Sequence, residues 1–152
     1  MTFAVVAWLD VFTRKEYKDI VVDSLRYCQQ QKGLLLHCWC LMSNHIHLVL
    51  SQDDNASDLL RDFKKFTSRS TVGAIKLNLQ ESCKGWILPI FEQAGTSNSR
   101  NKTYQFLRQD NQPKELYTEY FCRQKIDYIH NSPVVAGIVD KAEQYLYSSE
   151  KD

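Results

Sequence analysis

In the first third of the chain, some segments have the hydrophobic pattern of a strand and others have the hydrophobic period of a helix. Residues 3–9 form an apolar, β-prone run that predicts a buried strand. Residues 13–33 carry apolar side chains every three or four positions, between a threonine that can cap a helix and a glycine that can end one, and predict a helix. The apolar runs at residues 34–42 and 45–51 flank the polar pair Ser43-Asn44, and this arrangement predicts a β-hairpin.

The pattern is less regular in the middle of the chain. From residue 57 to about residue 80, apolar residues again recur at helical spacing and predict a long second helix. The short apolar run at residues 85–91 predicts a strand, and residues 93–103, which contain Gly, Ser and Asn, predict a mobile loop. Residues 104–108 predict a last short strand.

Two prolines bound the last predicted helix. Pro113 suits the first turn of a helix that runs to about His130, and Pro133 disfavours helix in the residue before it. The order of elements is then β-α-β-β-α-β with an extra helix at the C-terminal end, which is the ferredoxin-like order. We therefore expect one α+β domain over residues 1–152, with an antiparallel sheet that carries helices on one face and leaves the other face for function.

Composition narrows the class of protein. The hydrophobic fraction is 43% and the charged fraction 24%, both normal for a globular protein, and the formal net charge of +1 does not by itself indicate a nucleic-acid binder. No apolar run approaches the roughly 20 residues that cross a bilayer, so no membrane partner is expected. Five cysteines without a basic secretory leader predict free thiols and a cytoplasmic location.

Candidate chemistry is concentrated in the second arm of the hairpin. His45 and His47 stand two residues apart in a predicted strand, so their side chains point to the same face, while Ile46 and Leu48 point to the opposite face. Two imidazoles on one face of a strand can bind a metal ion, and together with oxygen ligands they admit Mg²⁺, Mn²⁺ or Zn²⁺. Solvent-facing histidines without a metal remain an alternative.

A structural zinc site is a competing hypothesis. Cys38 and Cys40 precede His45 and His47 in a C-x-C…H-x-H order that supplies four zinc ligands. The two cysteines flank Trp39 in an apolar strand and need not share the face of the histidines. Ordinary buried cysteine is therefore the favoured interpretation.

Positive charge is clustered on the second helix and on the predicted loop and last strand that follow it. Cations attract phosphate backbones, and the alternative interpretation is a solvated helix face. Phe63 and Phe66 could stack on unpaired bases, but we predict that they lie in the core. The candidate DNA-binding residues are Arg61, Lys64, Lys65, Arg69, Arg100, Lys102 and Arg108.

Several motifs together resemble the single-tyrosine HUH transposases, and most closely the REP-associated tyrosine transposases. The H-x-H motif alone is weak, but it is followed in the right order by a tyrosine block, and shorter matching segments cover nearly the whole chain. The main motifs are Asn44-His45-Ile46-His47 and Asp127-Tyr128-Ile129-His130-Asn131-Ser132-Pro133-Val134-Val135-Ala136-Gly137, and the shorter segments are 61–67, 98–102, 104–106, 109–111 and 147–149.

The resemblance implies a site and a reaction. His45 and His47 would hold Mg²⁺ or Mn²⁺ on the sheet, and Tyr128, on the extra C-terminal helix, would be the nucleophile. The implied reaction is an endonuclease and strand-transfer reaction on single-stranded or hairpin DNA. It leaves a 5′-phosphotyrosine and a free 3′-OH. The resemblance also implies that the cations listed above contact DNA.

One position departs from the pattern of the family. The third metal ligand usually stands four residues after the tyrosine, where relatives commonly have asparagine and this chain has Ser132, with Asn131 as the adjacent substitute. Serine is the shorter and poorer ligand. A catalytically weakened DNA-binding module therefore stays open as an alternative, as does the choice between a monomer and a homodimer.

Overall fold

The computed structural model describes residues 1–98 and 103–151. In this part of the chain none of the helices is both long and apolar enough to cross a membrane. The strands are β1 (Thr2–Ala4), β2 (Leu35–Leu41) and β3 (His45–Ser51), and the α-helices are α1 (Lys15–Gln31), α2 (Ala56–Leu77), α3 (Lys84–Thr96) and α4 (Glu119–Val135). Short 3₁₀ segments cover Val6–Trp8, Ala142–Gln144 and Ser149–Lys151.

The three strands form one antiparallel sheet in the order β1-β3-β2. The turn at Ser43-Asn44 joins β2 to β3, and the Met42 N–H donates to the His45 carbonyl across it (2.8 Å). The hairpin predicted from the two apolar runs is therefore confirmed, and β3 has the predicted bounds. In the β1–β3 ladder, Thr2 stands opposite His47, so the first strand borders the histidine pair.

The two faces of the sheet pack against different helices. Phe3, Ile46 and Leu48 belong to the main core, which joins the sheet to α1, α2 and α3. The histidines point to the other face, because side chains alternate along a strand. There α4 packs against β2 through the fully buried Ile129. The helix predicted as an extra C-terminal element therefore covers the face that was expected to be free.

Residues 85–91 were predicted as a strand but lie within α3. Ile87 and Phe91 are buried and stand four positions apart, which is the spacing of one helix face. A short apolar run does not distinguish a strand from a buried helix, and here the helix formed despite Pro89. Of the predicted loop, residues 93–96 also belong to α3, and residues 99–102 lie outside the described part of the chain.

The predicted last strand is reduced to a single bridge in the described residues. Leu107 pairs antiparallel with Val5, and the Arg108 N–H donates to the Ala4 carbonyl (2.8 Å). The bridge lies at the free edge of β1, which is where a ferredoxin-like order places its fourth strand. The mixed α/β fold with an antiparallel sheet is therefore confirmed, without a complete four-stranded sheet in residues 1–98 and 103–151.

The predicted bounds of the last helix were wrong at both ends. α4 begins at Glu119 rather than at Pro113, and the Thr118 side chain caps it by accepting from the Phe121 N–H (3.2 Å). It continues through Pro133 to Val135. A proline this close to the end of a helix removes one backbone donor only. Residues 128 and 132 therefore lie on one continuous helix.

Gly95 allows the chain to pass closely over α3. A Cβ at this position would stand 2.4 Å from the Tyr104 Cα and 2.6 Å from its backbone N and C atoms. Gly95→Ala is expected to lower the free energy of unfolding by about 1–3 kcal/mol, because backbone atoms must move to accept the methyl group. Gly73→Ala is the matched control, since it meets nothing within 4 Å in α2. It should stabilise by about 0.5–1 kcal/mol. Urea denaturation measures both, and equal effects of the two changes would contradict the prediction.

Candidate active site

Each ring of the histidine pair is oriented by a hydrogen bond at its Nδ1 atom, on the side away from the other histidine. His45 Nδ1–H donates to Asn44 Oδ1 (2.6 Å), and His47 Nδ1 lies 2.8 Å from the Thr2 hydroxyl oxygen. The two Nε2 atoms approach each other to 3.1 Å. The turn residue and the first strand therefore orient both imidazoles toward one point on the sheet.

Burial keeps both histidines neutral. It lowers the pKa of His45, and it lowers the pKa of His47 to about 3, with smaller contributions from the repulsion that a protonated His47 would meet from Lys125, the N-terminus and a protonated His45. A neutral ring whose Nδ1 carries the proton presents the lone pair of Nε2. The Thr2 hydroxyl can either donate or accept, so His47 can also adopt this tautomer.

The geometry of the pair fits a divalent ion. Two neighbouring ligands at about 2.1 Å from an octahedral ion stand about 3.0 Å apart, and the Nε2 atoms of His45 and His47 are 3.1 Å apart. The hydrogen bonds of Thr2 and Asn44 to the Nδ1 atoms are of the kind that orient metal-binding histidines. The residues present can therefore supply two neutral nitrogen ligands.

Tyr128 stands on α4 beside this pair. Its ring centre lies 5.7 Å from the ring centre of His47, in an edge-to-face arrangement at 71°. The side chain is 57% exposed, so its hydroxyl is accessible, whereas the next residue, Ile129, is fully buried against the sheet. Packing of Ile129 thus places the preceding tyrosine at the edge of the histidine site.

A cleft of about 720 Å³ opens between the sheet and α4. Both histidines and Tyr128 line it, as do the two residues considered as a third metal ligand, Ser132 and Asn131. The Ser132 hydroxyl donates to the Tyr128 carbonyl one turn earlier (2.9 Å), so its proton is used within the helix. Asn131 lines the same cleft. The hydroxyl oxygen of Ser132 and the amide oxygen of Asn131 both remain available as candidate ligands.

Two residues of α4 were not singled out from the sequence. Lys125 precedes Tyr128 by three positions, and its Nζ lies 4.7 Å from the centre of the tyrosine ring, a contact that the helical i,i+3 spacing could have indicated. His130 fixes the helix to the C-terminal segment, with Nδ1 2.6 Å from a Glu150 carboxylate oxygen and Nε2 2.9 Å from the Ser149 hydroxyl. No sequence signal marks this second contact.

The zinc hypothesis is wrong. Cys40 stands opposite His47 in the ladder, so the cysteines do share the face of the histidines, but Cys38 and Cys40 are fully buried with Ile129 and Tyr145 in a second core cluster. Burial raises the pKa of the Cys40 thiol to about 12. Within residues 1–98 and 103–151, no group of three or more His, Cys, Asp and Glu side chains is arranged to hold a metal ion. The cysteines pack as core residues.

Two of the candidate DNA-binding cations on α2 are engaged within the protein. Arg61 forms ion pairs with Asp58 (2.7 Å) and Asp62 (3.2 Å) on its own helix. Lys64 is half-buried and donates to the Arg108 carbonyl (3.1 Å), and burial lowers its pKa. Lys64 therefore ties α2 to the segment that follows the bridge, a structural role that the charge pattern did not reveal.

Other candidate cations face solvent. Lys65 and Arg69 are exposed on α2 and have no ion-pair partner in the part of the chain that the structure describes. Between them Phe66 is 56% exposed, so its predicted place in the core is wrong. Two further candidates, Arg100 and Lys102, lie outside the described residues.

A solved structure with a similar fold is that of a REP-associated tyrosine transposase bound to a REP hairpin. The match has a TM-score of 0.68 and covers 97% of this chain and 73% of the other chain, at 13% sequence identity. This chain has the fold of a REP-associated tyrosine transposase.

The agreement with the REP-associated tyrosine transposase lies in the fold. No protein-family model and no curated protein matches this chain in sequence. The resemblance drawn from the histidine and tyrosine motifs is thus confirmed by a similarity that extends over 97% of the chain.

Proposed function

We propose that this protein is a DNA transposase of the single-tyrosine type, which binds hairpin DNA and cleaves and transfers a single strand. The observation that carries the proposal is the cleft in which His45, His47 and Tyr128 come together, with 5.7 Å between the ring centres of His47 and Tyr128. Two neutral imidazoles beside an accessible phenol are suited to phosphodiester chemistry. The fold shared with a hairpin-bound REP-associated tyrosine transposase supports the choice of DNA as substrate.

The proposed reaction proceeds in two steps, cleavage and strand transfer. The Tyr128 oxygen loses its proton and attacks the phosphorus of the scissile phosphodiester, and the bond from phosphorus to the 3′-oxygen breaks. The 3′-oxygen takes up a proton and leaves as a 3′-OH, while the 5′-phosphate remains on the tyrosine. In the second step a 3′-OH attacks that phosphotyrosine, a new phosphodiester forms, and the phenol is released.

Different side chains of the protein have different roles in the proposed reaction. His45 and His47, with Ser132 or Asn131 as the third protein ligand, would hold Mg²⁺ or Mn²⁺, which polarises the scissile phosphate and offsets its negative charge. Lys125 adds a positive charge next to the tyrosine ring. Lys65 and Arg69, which do not line the cleft, are assigned to the DNA backbone, and the sequence pattern adds Arg100 and Lys102 to them.

The test is capture of a covalent intermediate. The purified protein is incubated with a pool of labelled DNA hairpins that carry randomised single-stranded extensions, with Mn²⁺, Mg²⁺ or EDTA, and is analysed on denaturing gels. We expect a DNA band that protease treatment shifts, present with either metal and absent with EDTA. Hairpin binding without this band would reject the cleavage step, and no hairpin binding would reject the proposal as a whole.

A DNA-binding module with weakened catalysis is the second candidate. It is favoured by Ser132, whose hydroxyl donates to the Tyr128 carbonyl and whose side chain is shorter than the asparagine that the resemblance implies at this position. Such a module binds hairpins with the affinity of an active enzyme but forms the adduct slowly.

Ser132→Asn tests how far this position limits the reaction. An amide oxygen extends further into the cleft than the hydroxyl, so we expect the rate of adduct formation at limiting Mn²⁺ to rise about tenfold, within the range by which metal-site partners change affinity or activity. Asn131→Ala serves as the companion variant. A loss of adduct in Asn131→Ala with no gain in Ser132→Asn would assign the third ligand to Asn131.

A further inference from the structure

The segment between β1 and α1 contains a strained turn next to the histidine site. Ala7 and Trp8 have positive φ angles of 56° and 52°, although neither is glycine. L-residues rarely adopt this conformation, because it brings Cβ close to the following carbonyl oxygen. Strain of this kind persists where surrounding contacts enforce it, and it is concentrated at functional sites.

Asn44 enforces the turn and orients the metal-site histidine at the same time. Its Nδ2 donates to the Trp8 carbonyl (3.3 Å), and its Oδ1 accepts from His45 Nδ1–H (2.6 Å). The Asn44 carbonyl also accepts from the Val5 N–H (2.9 Å), at the start of the turn. The position of Trp8 is therefore coupled to the position of His45 through one side chain.

The turn holds the Trp8 ring out at the surface. The residue is 50% exposed, and its ring centre lies 5.7 Å from that of His45, edge to face at 71°. The Arg108 guanidinium lies 5.6 Å from the centre of the Trp8 ring, and Arg108 is itself paired with Asp110. Lys64 donates to the Arg108 carbonyl, and this hydrogen bond fixes Arg108 beside the Trp8 ring.

We infer that Trp8 is a stacking platform for an unpaired DNA base next to the phosphate that is cut, with Arg108 beside it for the DNA backbone. The inference rests on the proposed function. Successive nucleotides of a strand are about 3.4 Å apart in duplex DNA, so a ring 5.7 Å from His45 is within reach of a base one or two nucleotides from the scissile phosphate. An exposed aromatic ring beside an arginine is the combination that binds single-stranded nucleic acid without reading its sequence.

Three variants and three substrates test the platform. The variants are Trp8→Ala, Trp8→Phe and the control Trp86→Ala, which removes a tryptophan that is 51% exposed and lines neither the histidine cleft nor the second cleft that contains Trp8. The substrates are a hairpin with single-stranded extensions, the same hairpin with abasic extensions, and a blunt hairpin. Affinity is measured by fluorescence anisotropy of labelled DNA in EDTA, so that cleavage does not contribute.

We expect Trp8→Ala to weaken binding of the extended hairpin about tenfold, because one base–aromatic stack is worth about 1–3 kcal/mol. Trp8→Phe should retain most of the affinity, and Trp86→Ala all of it. On abasic and blunt hairpins the Trp8 variants should match the wild type. An equal loss on all three substrates, or no loss on the extended hairpin, would overturn the inference.

A second measurement keeps the test valid if Trp8→Ala fails to fold. In a Trp39→Phe/Trp86→Phe variant, Trp8 is the sole tryptophan, and its fluorescence should be quenched by the extended hairpin and not by the abasic one. Quenching by both, or by neither although the hairpin binds, would overturn the inference. Failure of the wild-type protein to bind any of the hairpins would instead remove the proposed function on which the inference rests.

Discussion

Tyr128→Phe is expected to abolish the covalent protein–DNA adduct, with a loss of at least about 10³-fold in the rate of strand cleavage. The change removes only the hydroxyl oxygen that would bond to phosphorus. The ring keeps its place beside His47 and under the Lys125 ammonium group, so the fold and the affinity for hairpin DNA should stay unchanged. Denaturing gels of labelled hairpin DNA measure the adduct, and anisotropy measures binding.

Tyr120→Phe is the matched control for this experiment. Tyr120 lies on α4 as well, is 69% exposed, and does not line the histidine cleft. Its variant should form the adduct at the wild-type rate. If Tyr128→Phe still forms an adduct that survives denaturation, another nucleophile carries the reaction. If both variants lose it, the effect lies in the helix rather than in one hydroxyl.

Replacing either histidine is expected to remove the dependence of cleavage on metal together with the cleavage itself. His45→Ala and His47→Ala each delete one of the two neutral nitrogens that stand 3.1 Å apart. We expect at least about a 10²-fold loss of adduct formation at saturating Mn²⁺, because the metal supplies several kcal/mol of charge stabilisation. Adduct formation is followed against Mn²⁺ concentration for each variant.

Thermal unfolding separates a lost metal site from a lost fold. Mn²⁺ should raise the Tm of the wild-type protein, since a ligand that binds only the folded state stabilises it, and should leave the Tm of both variants unchanged. His37→Ala is the control, because His37 is exposed on β2 and its Nε2 contacts the Ser51 hydroxyl (2.7 Å) instead of the pair. Undiminished cleavage by the double variant His45→Ala/His47→Ala in EDTA would exclude the histidine pair from the reaction.

Local patterns predicted the hairpin and the first two helices well. A strand repeats every two residues and a helix every 3.6, so a buried face leaves a readable period in the residues that form it. The bounds of β3 were predicted to the residue, and the long helix α2 runs through Gly73, where the sequence allowed an interruption. The orientation of His45 and His47 toward one face follows from the same rule.

Predictions failed where tertiary contacts override the local pattern. The apolar run 85–91 suits either a strand or a helix, and packing of Ile87 and Phe91 into the core decides for α3. The segment 104–108 makes only one bridge to Val5. Pro133 was expected to end a helix that in fact continues for two more residues, because the end of a helix tolerates one missing donor.

The residues of the cleft likewise fall into those that the local sequence predicted and those that only tertiary packing brought together. The H-x-H spacing in a β-prone run is enough to set two imidazoles side by side, since it depends only on the backbone of one strand. Periodicity could not choose Tyr128 among eight tyrosines; only the resemblance of its motif did. Three features depend on the docking of α4 and of the turns on the sheet. Tyr128 lies beside His47, and Asn44 holds Trp8 outward. Cys38 and Cys40 pack as core residues. Contacts between residues far apart in the chain form only when the intervening elements pack, and no local period encodes that packing.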